Sequence, residues 1–385
     1  MSTPPLAFIR RLELAWRHGV AYPFLKRLFR NTQREDAVDI RTIASVLILR
    51  YDRLGDMVVT TPILRALRQS SQSLRVGVFA SEANAVLLSG NPNVDDVFVL
   101  YKNWVKLFGE LRRARRVGYS VVLNFIFNRT SSAGILANIV APHGLKVGQG
   151  DEKYRFYFNK LMKLERRQKR MVETLDSIIS DVFGGSVPVR DHTFELYPPE
   201  PSRRRIGEFL ILHGLVGRDA TGRGRPFVVF NISATDSVRK LSWGQIEAVI
   251  QHGAGWQARK MVLISAPGDL SELRVRVGRL GMSDRVLIFP EKGGPAPILD
   301  VAALIGEAQG VLTPDTAIVH FASAMKTPLL ALYTPLQDAH EWFPVGVPFW
   351  ALMAESGHPA SDISVELIIS QMDDFIRSTA DGAAR

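Results

Sequence analysis

The chain has 385 residues, 48 Lys+Arg against 38 Asp+Glu, a net charge of +10, 46% hydrophobic residues and no cysteine. That length implies about two domains with enough apolar content for two cores, which excludes disorder and collagen-like structure, while the missing cysteine excludes disulfides, thiolate metal sites and a cysteine nucleophile. The positive charge calls for an anionic partner: nucleic acid, an anionic membrane face or a phosphorylated substrate.

Residues 1–43 read as a basic amphipathic extension. Within 1–35, Arg10, Arg11, Arg17, Lys26, Arg27, Arg30 and Arg34 face only Glu13 and Glu35, interleaved with Phe8, Ile9, Leu12, Trp16, Phe24, Leu25, Leu28 and Phe29. Apolar spacings of three and four predict two short helices separated by Pro23. Such a face lies on an anionic membrane or docks on the protein's own surface, and the sequence leaves both open. Arg10 and Arg11 break the first apolar stretch, so it does not read as a signal peptide, and no apolar run reaches the ~18 residues of a spanning helix.

From residue 44 the chain alternates strands and helices. Val46–Leu49, Val76–Phe79, Val97–Leu100, Ser120–Leu123 and Lys146–Gly148 are predicted strands. The first leads through Arg50–Asp56 into a helix containing Pro62, Leu64 and Leu67. This predicts a parallel sheet covered on both faces, with a first domain over 44–197. Residues 198–225, with Pro198, Pro199, Pro201, Arg203 to Arg205 and the Gly-rich Gly217 to Gly224, read as a linker. A second series over 226–348 has strands at Phe227–Phe230, Met261–Ile264, Arg285–Ile288, Gly310–Leu312 and Leu329–Tyr333, with a helix from Trp243 to His252. In the closing 349–385 segment, Val365 to Ile376 is amphipathic, and it is expected to return to the first domain. The fold class is α/β, two doubly wound units facing a cleft.

Ligands of open α/β sheets bind at the carboxyl ends of strands, where two loops draw notice. In Arg50-Tyr51-Asp52-Arg53-Leu54-Gly55-Asp56, Gly55 is expected to permit a tight turn into the helix. Asp56 then sits at the helix start, either deprotonating a hydroxyl or merely capping the helix. In Thr313-Pro314-Asp315-Thr316, Thr313 is the expected N-cap and Pro314 the first helical residue, giving a phosphate-binding helix end; His320 reads more readily as packing than as catalysis. Between them Asn231-Ile232-Ser233-Ala234-Thr235 is a small polar turn, and Arg239 and Lys240 supply charge for a leaving diphosphate. No phosphate-loop motif, HExxH, GxSxG or Asp-x-Asp metal pair occurs, so cations and helix dipoles are the expected clamp, with no metal and no cofactor.

The Arg50–Asp56 loop with Thr60-Thr61-Pro62-Ile63-Leu64-Arg65-Ala66-Leu67, and Thr313-Pro314-Asp315-Thr316 with His320 and Thr327-Pro328, resemble two signatures of the ADP-heptose:lipopolysaccharide heptosyltransferases, glycosyltransferase family nine. The resemblance spans roughly residues 44–345 and implies a GT-B fold, with two Rossmann-like domains. The acceptor glycolipid would lie on the first and an ADP-sugar on the second. Carried over position by position, Asp56 matches the catalytic base, Arg239 or Lys240 the diphosphate cation, and Asp315 and Thr316 groups at the donor sugar and phosphates. Asp269 falls where a carboxylate holds the adenosine ribose, and Phe289-Pro290-Glu291-Lys292 lies near the adenine pocket. Gly55, Ser233 and Ala234 support the loops. Two departures touch the donor site: Ala317 stands where the family usually has Gly, and Arg239-Lys240-Leu241-Ser242-Trp243-Gly244 replaces Lys-x-Trp-Pro.

The expectation is an inverting heptosyltransferase acting on a lipopolysaccharide core or related glycan. It would be cytoplasmic, peripheral on the inner face of the inner membrane, with an ADP-sugar, an anionic glycolipid and an anionic membrane as partners and no nucleic acid. The alternatives are a family member using another nucleotide sugar or acceptor, and a non-catalytic anionic-lipid or nucleic-acid binding protein. Lys102, Lys106, Arg112, Arg113, Arg115 and Arg116 either meet acceptor phosphates or form a solvated helix face.

Overall fold

Runs of Val, Leu and Ile become the strands of two all-parallel sheets, whose central members are buried along their whole length because helices cover both faces. The structure, a computed structural model, describes residues 22–29, 31–127, 130–164, 168–217, 224–282, 285–334 and 339–382. The first sheet comprises β1 (Ser45–Arg50), β2 (Arg75–Ser81), β3 (Asp96–Leu100), β4 (Val121–Asn124), β5 (Leu145–Gln149) and β6 (Lys160–Met162), in the order β3-β2-β1-β4-β5-β6. The second comprises β7 (Phe227–Asn231), β8 (Lys260–Ile264), β9 (Val286–Ile288), β10 (Gly310–Pro314), β11 (Leu329–Tyr333) and β12 (Phe349–Met353), in the order β12-β11-β10-β7-β8-β9. Each is the doubly wound order in which the chain reverses direction beside its first strand. The crevice opened by that reversal lies between β1 and β4 in one unit and between β7 and β10 in the other.

The helices are α1 (Tyr22–Leu28), α2 (Leu54–Ser70), α3 (Trp104–Val117), α4 (Thr130–Val140), α5 (Met171–Phe183) and α6 (Glu200–Leu212), then α7 (Trp243–Ala254), α8 (Leu270–Arg279), α9 (Ile298–Glu307), α10 (Ala317–Ala324) and α11 (Val365–Gly382). One apolar cluster runs continuously through both units, from Val46, Ile48, Leu64 and Ile178 to Phe227, Val229, Leu304 and Leu329. Separate clusters fill the outer faces: Leu47, Leu49, Phe98, Ala114 and Ala137 on the first sheet, and Phe230, Leu312, Ile368 and Phe375 on the second. The shared inner core seats α2 of the first unit against α10 of the second.

Several expectations are corrected. Residues 198–225 are not a plain linker, because α6 fills Glu200–Leu212, with Pro201 in its first turn, where a proline loses no helical hydrogen bond. Its Ile206, Phe209 and Leu210 are buried. Residues 218–223 of the Gly-rich stretch lie outside the described residues. Helix α11 packs on the second sheet rather than returning to the first unit. There Phe375 stacks edge-on with Trp350 at 5.2 Å between ring centroids, and Asp373 pairs with His252 at 2.8 Å. Strands β6 and β12 were not expected.

Pro23 is the second residue of α1, and the first of the two expected helices falls within residues 1–21, which with Arg30 lie outside the described residues. From Asn31 onward the extension docks on the protein itself. The Asn31 amide donates to Asn138 Oδ1 and to the Phe156 carbonyl, each at 3.0 Å. Backbone N–H groups of Arg34 and Val38 donate to the carbonyls of Asn159 and Val182, both at 2.8 Å.

Candidate functional site

The loop after β1 is organised by a fully buried cation. Arg50 sits at the end of an apolar strand with no exposed surface, and its guanidinium lies 3.1 Å from Asp52 Oδ2 and 3.2 Å from Asp56 Oδ1. It also donates to the carbonyl of Asp56 at 2.9 Å, to Thr60 Oγ1 at 3.0 Å and to the Phe125 carbonyl at the exit of β4. The Thr60-Thr61-Pro62 run gains a physical reason here. Thr60 Oγ1 donates to the Asp56 carbonyl at 2.9 Å, and Thr61 Oγ1 donates at 2.7 Å to the Val58 carbonyl, which the missing Pro62 N–H leaves unpaired. Asn84 closes the loop from below through a 3.0 Å donation to the Arg50 carbonyl.

Asp56 does not cap its helix. The N-cap residue of α2 is Arg53, and Asp56 lies in the first turn, its side chain 12% exposed. Its approach to Arg50 is electrostatic, and among the described residues no hydrogen-bond donor ends on its carboxylate. The Arg50 ion pair at Oδ1 holds the carboxylate in place, while Oδ2 takes no hydrogen bond from a described residue and is free to accept a proton. Burial pushes the neighbouring Asp52 up to about 6, against the pull of Arg50 and with a further upward push from Asp56.

Gly55 is needed for close approach rather than for a tight turn. A Cβ there would stand 2.7 Å from His320 Cδ2 and 3.6 Å from the Ala317 Cα, so the first turn of α2 touches the first residue of α10 across the two units. His320 is buried against Phe194 and Trp342, at 5.7 and 6.0 Å between ring centroids. Burial first, and the nearby Arg50 charge second, hold its imidazole down at about 4, so it is neutral packing.

On the second unit, the turns after β7 and β10 are tied together. The Asn231 amide donates to Thr313 Oγ1 at 2.9 Å, to the Ser233 carbonyl at 3.0 Å and to Thr316 Oγ1 at 3.3 Å. Ser233 Oγ donates to Asp269 Oδ2 at 2.5 Å and accepts from the Ala266 N–H at 2.8 Å; Ala234 beside it is buried and leaves no bulk in the turn. Arg239 reaches Asp315 Oδ2 at 3.1 Å, and Lys240 stands 3.9 Å from Asp269 Oδ1. Burial raises the Asp315 carboxyl although Arg239, and Arg53 from across the cleft, both pull it down. The expected cap is corrected: Thr313 and Pro314 complete β10, and Thr316 is the N-cap of α10, accepting from the Ile318 N–H at 3.2 Å. Thr313 is spent instead on Asn231 and the Pro314 carbonyl.

Ser233, Asp269, Lys240, Arg239, Asp315 and Thr316 thus come together, with Gly55 against the start of α10 and Asp56 next to it in the chain. Lys292 is exposed in the loop after β9. Sequence reasoning assigned no role to Arg50, Asp52, Arg53 or Tyr333, whose buried ring lies close enough to Asp315 to feel its charge. The available signal was a cation ending an apolar strand with carboxylates two and six positions on. A separate depression of about 670 Å³ lies behind the carboxyl-terminal half of α2, lined by Arg65, Thr193, Glu195 and Lys326. Arg65 there is already paired with Asp191 and Glu195, well away from Asp56.

A family model described as glycosyltransferase family 9 (heptosyltransferase) matches residues 106–355. Lipopolysaccharide heptosyltransferase 3 of Escherichia coli is 23% identical over 313 residues, covering 77% of this chain and 86% of that protein. The crystal structure of a family 9 glycosyl transferase from Veillonella parvula superposes with a TM-score of 0.74 at 19% identity, over 89% of this chain and 99% of its own. The structure of E. coli ADP-heptose lps heptosyltransferase II does so with a TM-score of 0.65 at 17% identity, over 87% and 99%. The fold is GT-B, and this chain, a glycosyltransferase enzyme, belongs to glycosyltransferase family 9, the heptosyltransferases.

Proposed function

We propose that the chain is an inverting transferase that moves heptose from ADP-heptose to a hydroxyl of a lipopolysaccharide core or related anionic glycan. The observation that carries this reading is the contact between α2 and α10. It brings the first turn of α2, with the Arg50-paired carboxylate of Asp56 at the switch point of one sheet, against the helix start at the switch point of the other, where the hydroxyls and cations gather. Asp56 takes the proton of the acceptor hydroxyl as its oxygen bonds to the anomeric carbon. The bond from that carbon to the diphosphate breaks on the opposite face, and its electron pair leaves with ADP.

Arg239, Lys240 and the Thr316 cap receive the charge that gathers on the diphosphate. In the free enzyme both cations rest on carboxylates, Lys240 loosely at 3.9 Å and half exposed. Exposed pairs of that kind are worth about 1 kcal/mol or less, so exchanging Asp269 for a phosphate costs little. Asp315 and Asp269 are assigned to the donor sugar and ribose, with Lys292 at the nucleoside. The enzyme works at the inner face of the inner membrane, where a lipid-linked acceptor is held. No described helix is long and apolar enough to cross a membrane.

A second reading, another nucleotide sugar, is favoured by the two departures at the donor site, Ala317 as the first residue of α10 and the Arg239–Gly244 segment. Thermal shift with ADP, UDP and GDP separates the two. A nucleotide at about 100 times its Kd stabilises the fold by about 2.7 kcal/mol, so the preferred base is read directly. Preference for ADP supports ADP-heptose; preference for UDP or GDP selects the second reading. Loss of one heptose from the core glycan of a deletion strain would identify the transferred sugar.

A further inference from the structure

Helix α3 carries three large apolar side chains that no described residue covers: Trp104 is 82% exposed, Val105 83% and Phe108 66%. Its buried flank is taken by Ala114, with Leu107, Glu110, Leu111 and Val117 half-buried beside it. At about 100° per residue, Val105 and Arg116 lie opposite Ala114, with Arg112 and Phe108 beside them and Trp104 and Arg115 at one margin of the exposed face. The face is graded along its axis, apolar over the first one and a half turns and cationic over the last two. Three of the surrounding cations are partly engaged within the unit. Arg113 packs over Phe98 and pairs with Glu110 at 2.8 Å, Lys106 stands over Tyr101, and Arg115 reaches the Ile139 carbonyl at 3.2 Å. Arg112 and Arg116 are exposed at the basic end, and Lys102 just before the helix.

The position of this face gives it a direction. Helix α3 follows β3, so its apolar end lies at the carboxyl edge of the first sheet, the edge from which the Asp56 loop also leaves. The outer face of that sheet bears a second exposed apolar pair. Phe24 and Leu28 of α1 are 67% and 60% exposed beside Lys26 and Arg27, and the chain leaving α1 is tied to Asn138 of α4. Helix α3 packs against α4 as well, so the two apolar patches flank one helix.

We propose that the exposed face of α3, flanked by α1, is the surface through which the protein sits on an anionic bilayer. Trp104, Val105 and Phe108 enter the interface between headgroups and acyl chains, while Arg112, Arg116 and Lys102 meet lipid phosphates. Aromatic and aliphatic side chains bounded by cations are the chemistry of an interfacial helix, and the excess of positive charge selects an anionic surface. Docking there turns the acceptor side of the cleft towards the membrane plane. The proposal rests on the functional reading only for where the acceptor is held; the surface itself is independent of the reaction.

The test is cosedimentation of the full chain with vesicles of phosphatidylcholine alone and of phosphatidylcholine mixed with phosphatidylglycerol, at low and high salt. The parent should bind the mixed vesicles, more weakly as salt rises, and the neutral vesicles poorly. Trp104→Ser/Phe108→Ser should lower the partition coefficient by about tenfold or more, because each buried apolar side chain contributes several-fold to membrane affinity. Arg112→Gln/Arg116→Gln should weaken binding and flatten its salt dependence. All of these residues are exposed, so the melting temperature of both double variants should stay at the parent value, and Trp104→Ser/Phe108→Ser should turn over a delipidated acceptor as the parent does. Unchanged vesicle binding in both double variants overturns the proposal. So does a parent dimer that Trp104→Ser/Phe108→Ser converts to monomer with vesicle binding intact, which would make the face a contact between copies.

Discussion

Replacing Gly55 by Ala adds one methyl group at the point where the two units meet. The new Cβ would lie 2.7 Å from His320 Cδ2, roughly 1 Å inside an ordinary carbon–carbon contact. His320 cannot swing aside, since Phe194 and Trp342 box its ring and it is buried on all sides. The first turn of α2 and the start of α10 must then separate by about that amount. Overpacking of this kind costs about 1–3 kcal/mol. The same displacement moves Asp56 away from the donor loops, and a shift of about 1 Å at reacting groups can cost about 100-fold in rate. Gly55→Ala should therefore melt several degrees below the parent and lose turnover by one to two orders of magnitude, while ADP binding, which the proposed function assigns to the second unit, should change little. A double-mutant cycle with His320→Ala isolates the contact by urea denaturation. Removing the ring should relieve the added methyl, giving a favourable coupling of about 1–2 kcal/mol. Parent-like stability and turnover in Gly55→Ala, or a coupling near zero, would refute this account of the interface.

The half-buried Asp52 and the buried His320 predict opposite pH slopes of stability. Asp52, raised from 3.8 to about 6, contributes stability that is complete below pH 3.8 and is lost as pH rises towards 6. Asp52→Asn should thus gain on the parent by about 1–3 kcal/mol across that window in urea titrations; a flat difference would contradict the burial argument. His320, lowered from 6.5 to about 4, contributes stability that is complete above pH 6.5 and is lost as pH falls towards 4. His320→Gln should remove that acid loss, checked in the same titrations. Arg239→Ala and Lys240→Ala should each weaken ADP binding by calorimetry and slow transfer, with EDTA leaving the parent almost unaffected. Strict dependence on added Mg²⁺ would show that the cations are not the clamp.

The two sheets were legible because a parallel strand buried on both faces must be a short unbroken apolar run, as Val46–Leu49 and Leu329–Tyr333 are. Strands β6 and β12 were not, since Lys160-Leu161-Met162 is three residues long and Phe349–Met353 is only partly buried at a sheet edge. Helix α6 was hidden by prolines that read as breakers although one of them starts it. The amphipathic pattern of α11 predicted a buried face without saying which sheet would bury it.

Within the candidate site, Asp56 and the two cations stood out from their place after strands, whereas Asp315 and Thr316 came only through the family resemblance, the cap having been expected at Thr313. The organising role of Arg50 was not, because a charge at the end of an apolar strand breaks the pattern by which strands are recognised, and its partners are gathered only by the fold. The reason for Gly55 also lay outside local sequence, in a helix more than 260 residues further on.

The central claim is that Asp56 is the group that accepts the proton of the acceptor hydroxyl. Asp56→Asn keeps the shape of the side chain and its neighbours, removes the basicity and should leave folding and ADP affinity intact. With ADP-heptose and a delipidated core acceptor, kcat should fall by about 10²–10⁴-fold with little change in the donor KM. Turnover within a few-fold of the parent, in a variant that melts and binds ADP as the parent does, would contradict it.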